Sequence, residues 1–180
     1  MDTNTLLIIV GVLALIIFSY WFWQKRRSDT LRSQFPEEYD RAVSDKRTLN
    51  KAESDLSRRQ KRVAGYDLAP LDAAQQAAVT ARWADAQAQF VDDPAAANKT
   101  AQELIGEVME QRGYPRGDFE RETADLSVHY PRLVQHYRDA HAVAQKNADG
   151  GATTEELRRA MQDYRVLFDG LVTEDRTARD

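Results

Sequence analysis

The chain has 180 residues, 42 % of them apolar, which is enough for one modest domain and too apolar for wholesale disorder. It has no cysteine, which excludes disulfides, thiolate-bound zinc, iron–sulfur clusters and thiol catalysis. The net charge of −4 conceals an asymmetry: residues 25–62 hold twelve Lys/Arg against seven Asp/Glu, whereas residues 63–180 hold thirteen against twenty-one. An acidic distal domain repels phosphate backbones, so no nucleic-acid partner is expected.

Leu6 to Trp23 is an uninterrupted run of 18 residues without a charge. As a helix it spans about 27 Å, close to the roughly 30 Å of bilayer hydrocarbon. A backbone in hydrocarbon must satisfy its own hydrogen bonds, so the run is expected to be helical. Tyr20, Trp21, Phe22 and Trp23 cluster at one end, where amphipathic rings favour the headgroup layer. A cleaved signal peptide is the competing reading, but no basic residue precedes the run and no small-residue cleavage site follows it. Instead come Lys25, Arg26, Arg27 and Arg32, while the other side offers only Asp2. The positive-inside rule then predicts an outside N-terminus, a cytoplasmic C-terminal domain at a bacterial plasma membrane, and a basic flank on anionic lipid. The expected division is 1–24 as transmembrane anchor, 25–65 as basic juxtamembrane connector and long helix, and 66–180 as a helical domain.

Ala, Glu, Gln, Arg and Leu dominate the remainder and alternating strand patterns are scarce, so the predicted class is all-α. Phe35-Pro36-Glu37-Glu38 reads as a helix start, with Pro at the first position and acids in the first turn. Phe35, Ala42, Leu49, Leu56 and Val63 then recur at intervals of seven. This narrow apolar seam suits docking or a solvated stalk; Lys46, Glu53 and Gln60 at the companion positions make self-association through residues 35–63 weak. Gly65 to Pro70 breaks the pattern. Leu71 to Val91 reads as an alanine-rich helix with Val79, Trp83 and Phe90 on one side. Asp93-Pro94 caps the next, whose stripe is Ala97, Ala101, Leu104, Ile105, Val108 and Met109. Gly113-Tyr114-Pro115-Arg116-Gly117 ends it, and Asp118 caps a short helix to about Val128. Pro131 opens another, stopped by Gly150-Gly151. Thr153 and Glu156 form a capping box for the last, which is expected to stop before Gly170. The sum is a compact bundle of about five helices behind an anchor and a long charged helix.

Catalytic constellations are scarce. His136 and His141 are five apart and point different ways on a helix, and no H-E-x-x-H or E-x-x-H occurs. Asp125 and His129, four apart, are spaced to face each other, but two ligands do not make a site. Glu103, Glu107 and Glu110 share a face that reads as solvated. Ser127 lacks a G-x-S-x-G setting and no glycine-rich phosphate loop is present. No cofactor or metal is expected. Trp83, Gln87 and Phe90 with Asp92-Asp93-Pro94 form one dense cluster, and Arg112-Gly113-Tyr114-Pro115 another. They read either as core or as the lining of a groove for a partner.

These clusters carry a resemblance. Phe35 with Glu38-Tyr39-Asp40-Arg41, Trp83 with Gln87 and Phe90 to Pro94, Arg112 to Pro115, Asp125 to Val128 with Pro131, and Tyr137-Arg138 with Ala140-His141 form a set. In this set the chain resembles a family of uncharacterised single-pass membrane proteins of actinobacteria and other soil bacteria. The resemblance spans about residues 35–145. Phe-Pro-Glu-Glu and His129-Tyr130 depart from the family pattern. It implies a domain identity and no activity.

Two functions compete. One is a membrane-anchored interaction or scaffold module without catalysis, with a protein partner and the inner leaflet as its contacts. The other is a small-ligand sensor or enzyme with a pocket between helices near Trp83, Tyr114, Tyr137 and His141. A third role, a lipid-facing structural protein whose basic stalk lies on the leaflet, shares the first one's setting. The candidate partner or ligand surface is Trp83, Gln87, Phe90, Arg112, Tyr114, Tyr137 and His141.

Overall fold

The structure, a computed structural model, describes residues 41, 44 and 49–173. Every element among them is an α-helix, and no strand occurs among the described residues. The helices are α1 (Leu49–Val63), α2 (Ala73–Gln89), α3 (Pro94–Gln111), α4 (Phe119–Leu126), α5 (Leu133–Ala148) and α6 (Thr154–Thr173). The chain divides into two compact units, residues 1–58 and 59–180, with the boundary inside α1. Among the described residues no helix is long and apolar enough to cross a membrane. The expected anchor at 6–23, the basic flank Lys25, Arg26, Arg27 and Arg32, and the expected start at Phe35-Pro36 lie outside the described residues.

In α1 the seven-residue seam is buried at Leu56 and Val63, joined by Ala52. Glu53, at a companion position, is buried as well.

The four-helix body of the second unit is set by caps and by one register. Asp72 begins α2 with a capping box: its carboxylate accepts from Gln75 N at 2.8 Å, and Gln75 Oε1 accepts from Asp72 N at 2.9 Å. Asp93 accepts from Ala96 N at 2.9 Å ahead of Pro94, as expected for α3. Asp118 accepts from Arg121 N at 2.8 Å at the start of α4. Thr153 and Glu156 close their box, with Thr153 N donating to the carboxylate at 2.8 Å and Glu156 N to Thr153 Oγ1 at 3.3 Å. Each cap answers amide donors that the first helical turn leaves without a partner.

Several expected boundaries move: α2 covers Ala73–Gln89 within the expected Leu71 to Val91, α4 ends at Leu126, and two more shifts have a visible cause. Pro131 lies in a turn closed by Leu133 N donating to Tyr130 O at 3.0 Å, so α5 starts at Leu133. The last helix passes through Gly170 to Thr173 instead of stopping before it. Gly170 is there for space: a Cβ would overlap Cδ1 of Leu133 on α5. The glycine lets two helices approach, and packing at that point overrides its weak helix propensity.

Side-chain pairs fix the topology. Arg82 meets Glu107, and Thr100 meets Gln89 at 3.1 Å, so α2 runs antiparallel to α3. Asn98 Nδ2 donates to Leu157 O at 3.0 Å and Arg112 Nη1 to Leu171 O, so α3 and α6 run parallel with a constant offset of 59 residues. His136 meets Asp163 at 2.7 Å and Lys146 meets Glu156, so α5 runs antiparallel to α6. The apolar stripes of α3 (Leu104, Ile105, Val108) and α6 (Tyr164, Leu167, Leu171) are fully enclosed and form the middle of the core. Each such side chain contributes about 1.5–3 kcal/mol through burial. One end of the bundle is covered by residues 64–72, the turn at 112–118, α4 and residues 127–132, as the contacts below show.

Candidate functional site

The covered end holds the densest polar network. Asp125, on the buried side of α4, is 3 % exposed. It accepts from Arg62 Nε at 2.8 Å and from Arg62 Nη2, and from Tyr66 Oη at 2.6 Å. Arg121 Nε stands 4.0 Å away, one helical turn before it. The hydrogen bond to Asp125 holds the Arg62 guanidinium more firmly protonated than usual. Arg62 lies in the last turn of α1 and Tyr66 just beyond it, so this carboxylate latches the end of α1 to α4. The pairing of Asp125 with His129 that their spacing allows does not form: His129 Nδ1 instead meets Tyr114 Oη at 3.0 Å. Burial first, and the positive charge of Arg112 second, lower the His129 pKa. In the neutral ring the tautomer sets the direction: the tyrosine hydroxyl donates when Nδ1 is bare and accepts when Nδ1 carries the proton.

The Arg112–Pro115 cluster closes this end of the core. Arg112 is 7 % exposed, lies 5.5 Å over the Tyr130 ring, and donates to the Leu171 carbonyl in the last turn of α6. A side-chain donor there answers one of the carbonyls that a helix C-terminus leaves open. Gly113 has φ +90°, and a Cβ there would overlap the Asp67 carbonyl. Ala69 N donates to Arg112 O at 3.1 Å on the same strip of contact. Tyr114 is buried, with Tyr66 edge-on to its ring at 6.5 Å. R-G-Y-P is thus a backbone crossing point.

The second cluster sits between α2 and α6. Trp83 is buried and stacks on Phe168, with centroids 4.8 Å apart and planes 15° from parallel. Gln87 and Phe90 are half-buried, and Phe90 packs on the core edge. Next to them Val91 is 84 % exposed, the most open large apolar side chain among the described residues.

The third cluster joins α4 and α5. Phe119 lies flat on the His141 ring at 3.6 Å and meets Tyr137 edge-on at 5.0 Å. Tyr137 is buried, and its hydroxyl donates to Glu122 at 3.2 Å. Burial, followed by the Glu122 charge, raises the Tyr137 pKa well above the ordinary tyrosine value. Burial lowers that of His141, with Glu120 and Glu122 opposing. A neutral tyrosine and a neutral imidazole suit packing and hydrogen bonding; neither is poised as an anionic nucleophile.

The seven candidate residues therefore fall in three places, and each buried ring packs on a different partner. Tyr164 is fully enclosed on α6, and its hydroxyl has no hydrogen-bond partner among the described residues. The acidic face of α3 is matched by bases: Glu107 takes Arg82, Glu110 takes Arg116 at 2.8 Å, and Lys99 lies 4.0 Å from Glu103. Among the described residues no group of three or more His, Asp or Glu is placed to hold a metal ion. The latch of Arg62, Tyr66 and Asp125 had no local signal, since its partners are 59 and 63 residues apart. No family model, curated protein or solved structure matches the chain.

Proposed function

We propose that the chain is a membrane-anchored helical interaction module without catalytic activity, acting at the inner face of a bacterial plasma membrane. It would belong with the single-pass proteins it resembles in its W-x-x-x-Q-x-x-F-V-D-D-P and R-G-Y-P elements. The observation that carries the reading is the uncharged run from Leu6 to Trp23 followed directly by Lys25, Arg26 and Arg27. What supports a binding role is the use made of the polar and aromatic groups. Arg62, Asp125, Arg112, Tyr114 and Tyr137 hold helices to one another. The part of the expected partner surface that reaches solvent is Gln87 and Phe90, beside the open Val91, and, at a separate place, His141. An exposed apolar side chain at a helix corner, next to a half-buried aromatic, is a natural anchor for another protein.

The test has two parts. The full chain is fused at its C-terminus to green fluorescent protein or to alkaline phosphatase, expressed in a bacterium, and fractionated with alkaline carbonate. Retention in the membrane with a fluorescent, phosphatase-inactive fusion is the expected result. Extraction by carbonate, or an active phosphatase, refutes the placement. A photo-crosslinking residue is then put at Gln87, Val91 or, as a control on the opposite side of α2, Ala78, which is exposed and nine residues before Gln87. Discrete adducts at the first two and none at Ala78 are expected; identical patterns at all three refute the binding surface.

A further inference from the structure

We infer that the outward face of α1 is a docking surface for the anionic headgroups of the same membrane leaflet. The inference rests on the anchoring proposed above. Lys51, Ser54, Arg58 and Lys61 are all exposed. Their spacing of three, four and three residues puts them on one stripe about 15 Å long. Ala52, Leu56 and Val63 are buried, so Lys51, Arg58 and Lys61 stand on a different face from the apolar seam, whereas Arg62 turns inward to Asp125. Asp55 lies 3.4 Å from an Arg58 side chain that is itself 71 % exposed. Lys51, Arg58 and Lys61 make a positive strip interrupted at Ser54.

The occupant follows from charge and reach. Residues 63–180 carry a net −8, by the thirteen Lys/Arg and twenty-one Asp/Glu counted there, so the rest of the chain is repelled by a negative leaflet while α1 is drawn to it. Between Trp23 and Leu49 lie 25 residues. Even fully extended they reach no further than about 90 Å, so an anchored protein keeps α1 at high local concentration over its own leaflet. Each Lys or Arg near such a surface favours the apposed state about five-fold at low salt, and three together on the order of 100-fold. A nucleic acid would meet the same repulsion from the acidic bundle without the benefit of tethering.

The absence of cysteine makes the test clean. The full chain carrying Ser54→Cys, labelled with an environment-sensitive fluorophore, is reconstituted into vesicles of phosphatidylcholine with or without one-third phosphatidylglycerol. With phosphatidylglycerol the emission should shift to the blue and be quenched by headgroup-labelled lipid. Pure phosphatidylcholine, 0.5 M salt, or Lys51→Gln, Arg58→Gln and Lys61→Gln together should each abolish the effect. Glutamine keeps the helix propensity, so folding is preserved. If the protein floats with both vesicle types and the label responds alike in both, the inference fails while the anchor stands. If it floats only with the anionic vesicles and the triple variant does not, the anchor fails and the inference stands. Flotation with neither defeats both. A lipid response untouched by the triple variant overturns the inference. So does retention of a short DNA duplex by the protein on phosphatidylcholine vesicles, if the triple variant loses it.

Discussion

Replacing Asp125 with asparagine tests whether the end of α1 is fastened by one carboxylate. Asp125 is 3 % exposed and accepts two bonds from Arg62 and one from Tyr66. Hydrogen bonds to a charged group contribute about 1.5–3 kcal/mol each. Asparagine keeps the shape and still accepts from Tyr66. Arg62, whose side chain is 34 % exposed, can turn to water once released. The expected cost of Asp125→Asn is therefore about 2–3 kcal/mol, at the low end for a severed buried pair. Arg62→Met is the harsher change, about 3–5 kcal/mol, because it leaves a buried carboxylate facing Tyr66 and a distant Arg121. The double variant should cost less than the sum, with a coupling of about 2 kcal/mol. Urea unfolding of the full chain in mild detergent gives these values, and amide exchange locates them. Amides from Lys61 to Tyr66 should open early in Asp125→Asn, while those of α3 and α6 stay protected. Single variants within 0.5 kcal/mol of the parent, or fully additive effects, would refute the latch.

Three further outcomes are expected. Gly113→Ala should destabilise by more than about 2 kcal/mol, since it combines a φ of +90° with overlap on the Asp67 carbonyl; Gly150→Ala, at φ +71° with nothing nearby, should cost only about 1 kcal/mol, and equal urea midpoints for the two would contradict this. Tyr164→Phe should be neutral or stabilising by up to about 1 kcal/mol, because the lost hydroxyl is enclosed without a partner; a marked loss of stability would show that the hydroxyl is engaged. His129 holds its pKa below the ordinary 6.5, so as pH falls below about 6.5 the unfolded chain takes up the proton first and stability declines. His129→Gln should flatten the fall of the urea midpoint between pH 7.5 and 5.5, and a steeper fall would reverse the assignment.

Local chemistry was legible in the chain and distant chemistry was not. Asp93-Pro94, Asp118 and the Thr153–Glu156 box announce helix starts because each signal spans four residues or fewer, and all three caps are made. Asp72 and Gln75 carry the same kind of signal in a stretch otherwise read only for its alanines. Gly170 misleads for the opposite reason: a glycine that reads as a stop serves a neighbour, Leu133, that is 37 residues earlier in the chain. Two of the three clusters, around Trp83 and at Arg112–Pro115, were visible as dense patches of aromatic and charged residues; the third, Phe119 with Tyr137 and His141, was not. Their assignment to separate places depends on partners such as Phe168 for Trp83 and Leu171 for Arg112, which no spacing rule connects. Arg112 in particular, in a cluster that read either as core or as groove lining, is spent inside on a helix end.

The offset of 59 between α3 and α6 has a mechanical consequence. The two helices are pinned at Asn98–Leu157 and again at Arg112–Leu171, fourteen residues further along each. That separation is about 21 Å, so the pair behaves as a strut bolted at both ends. A slip of one helical turn, the usual way that packed helices shift, breaks both bolts at once. The outer helices are held instead by partly exposed polar pairs, α2 to α3 at Arg82–Glu107 and Gln89–Thr100 and α5 to α6 at His136–Asp163 and Lys146–Glu156, which are weaker than the buried bolts. Any yielding of the body under load or on meeting a partner should therefore come from α2 or α5 swinging away, with the α3–α6 strut kept as the hinge post.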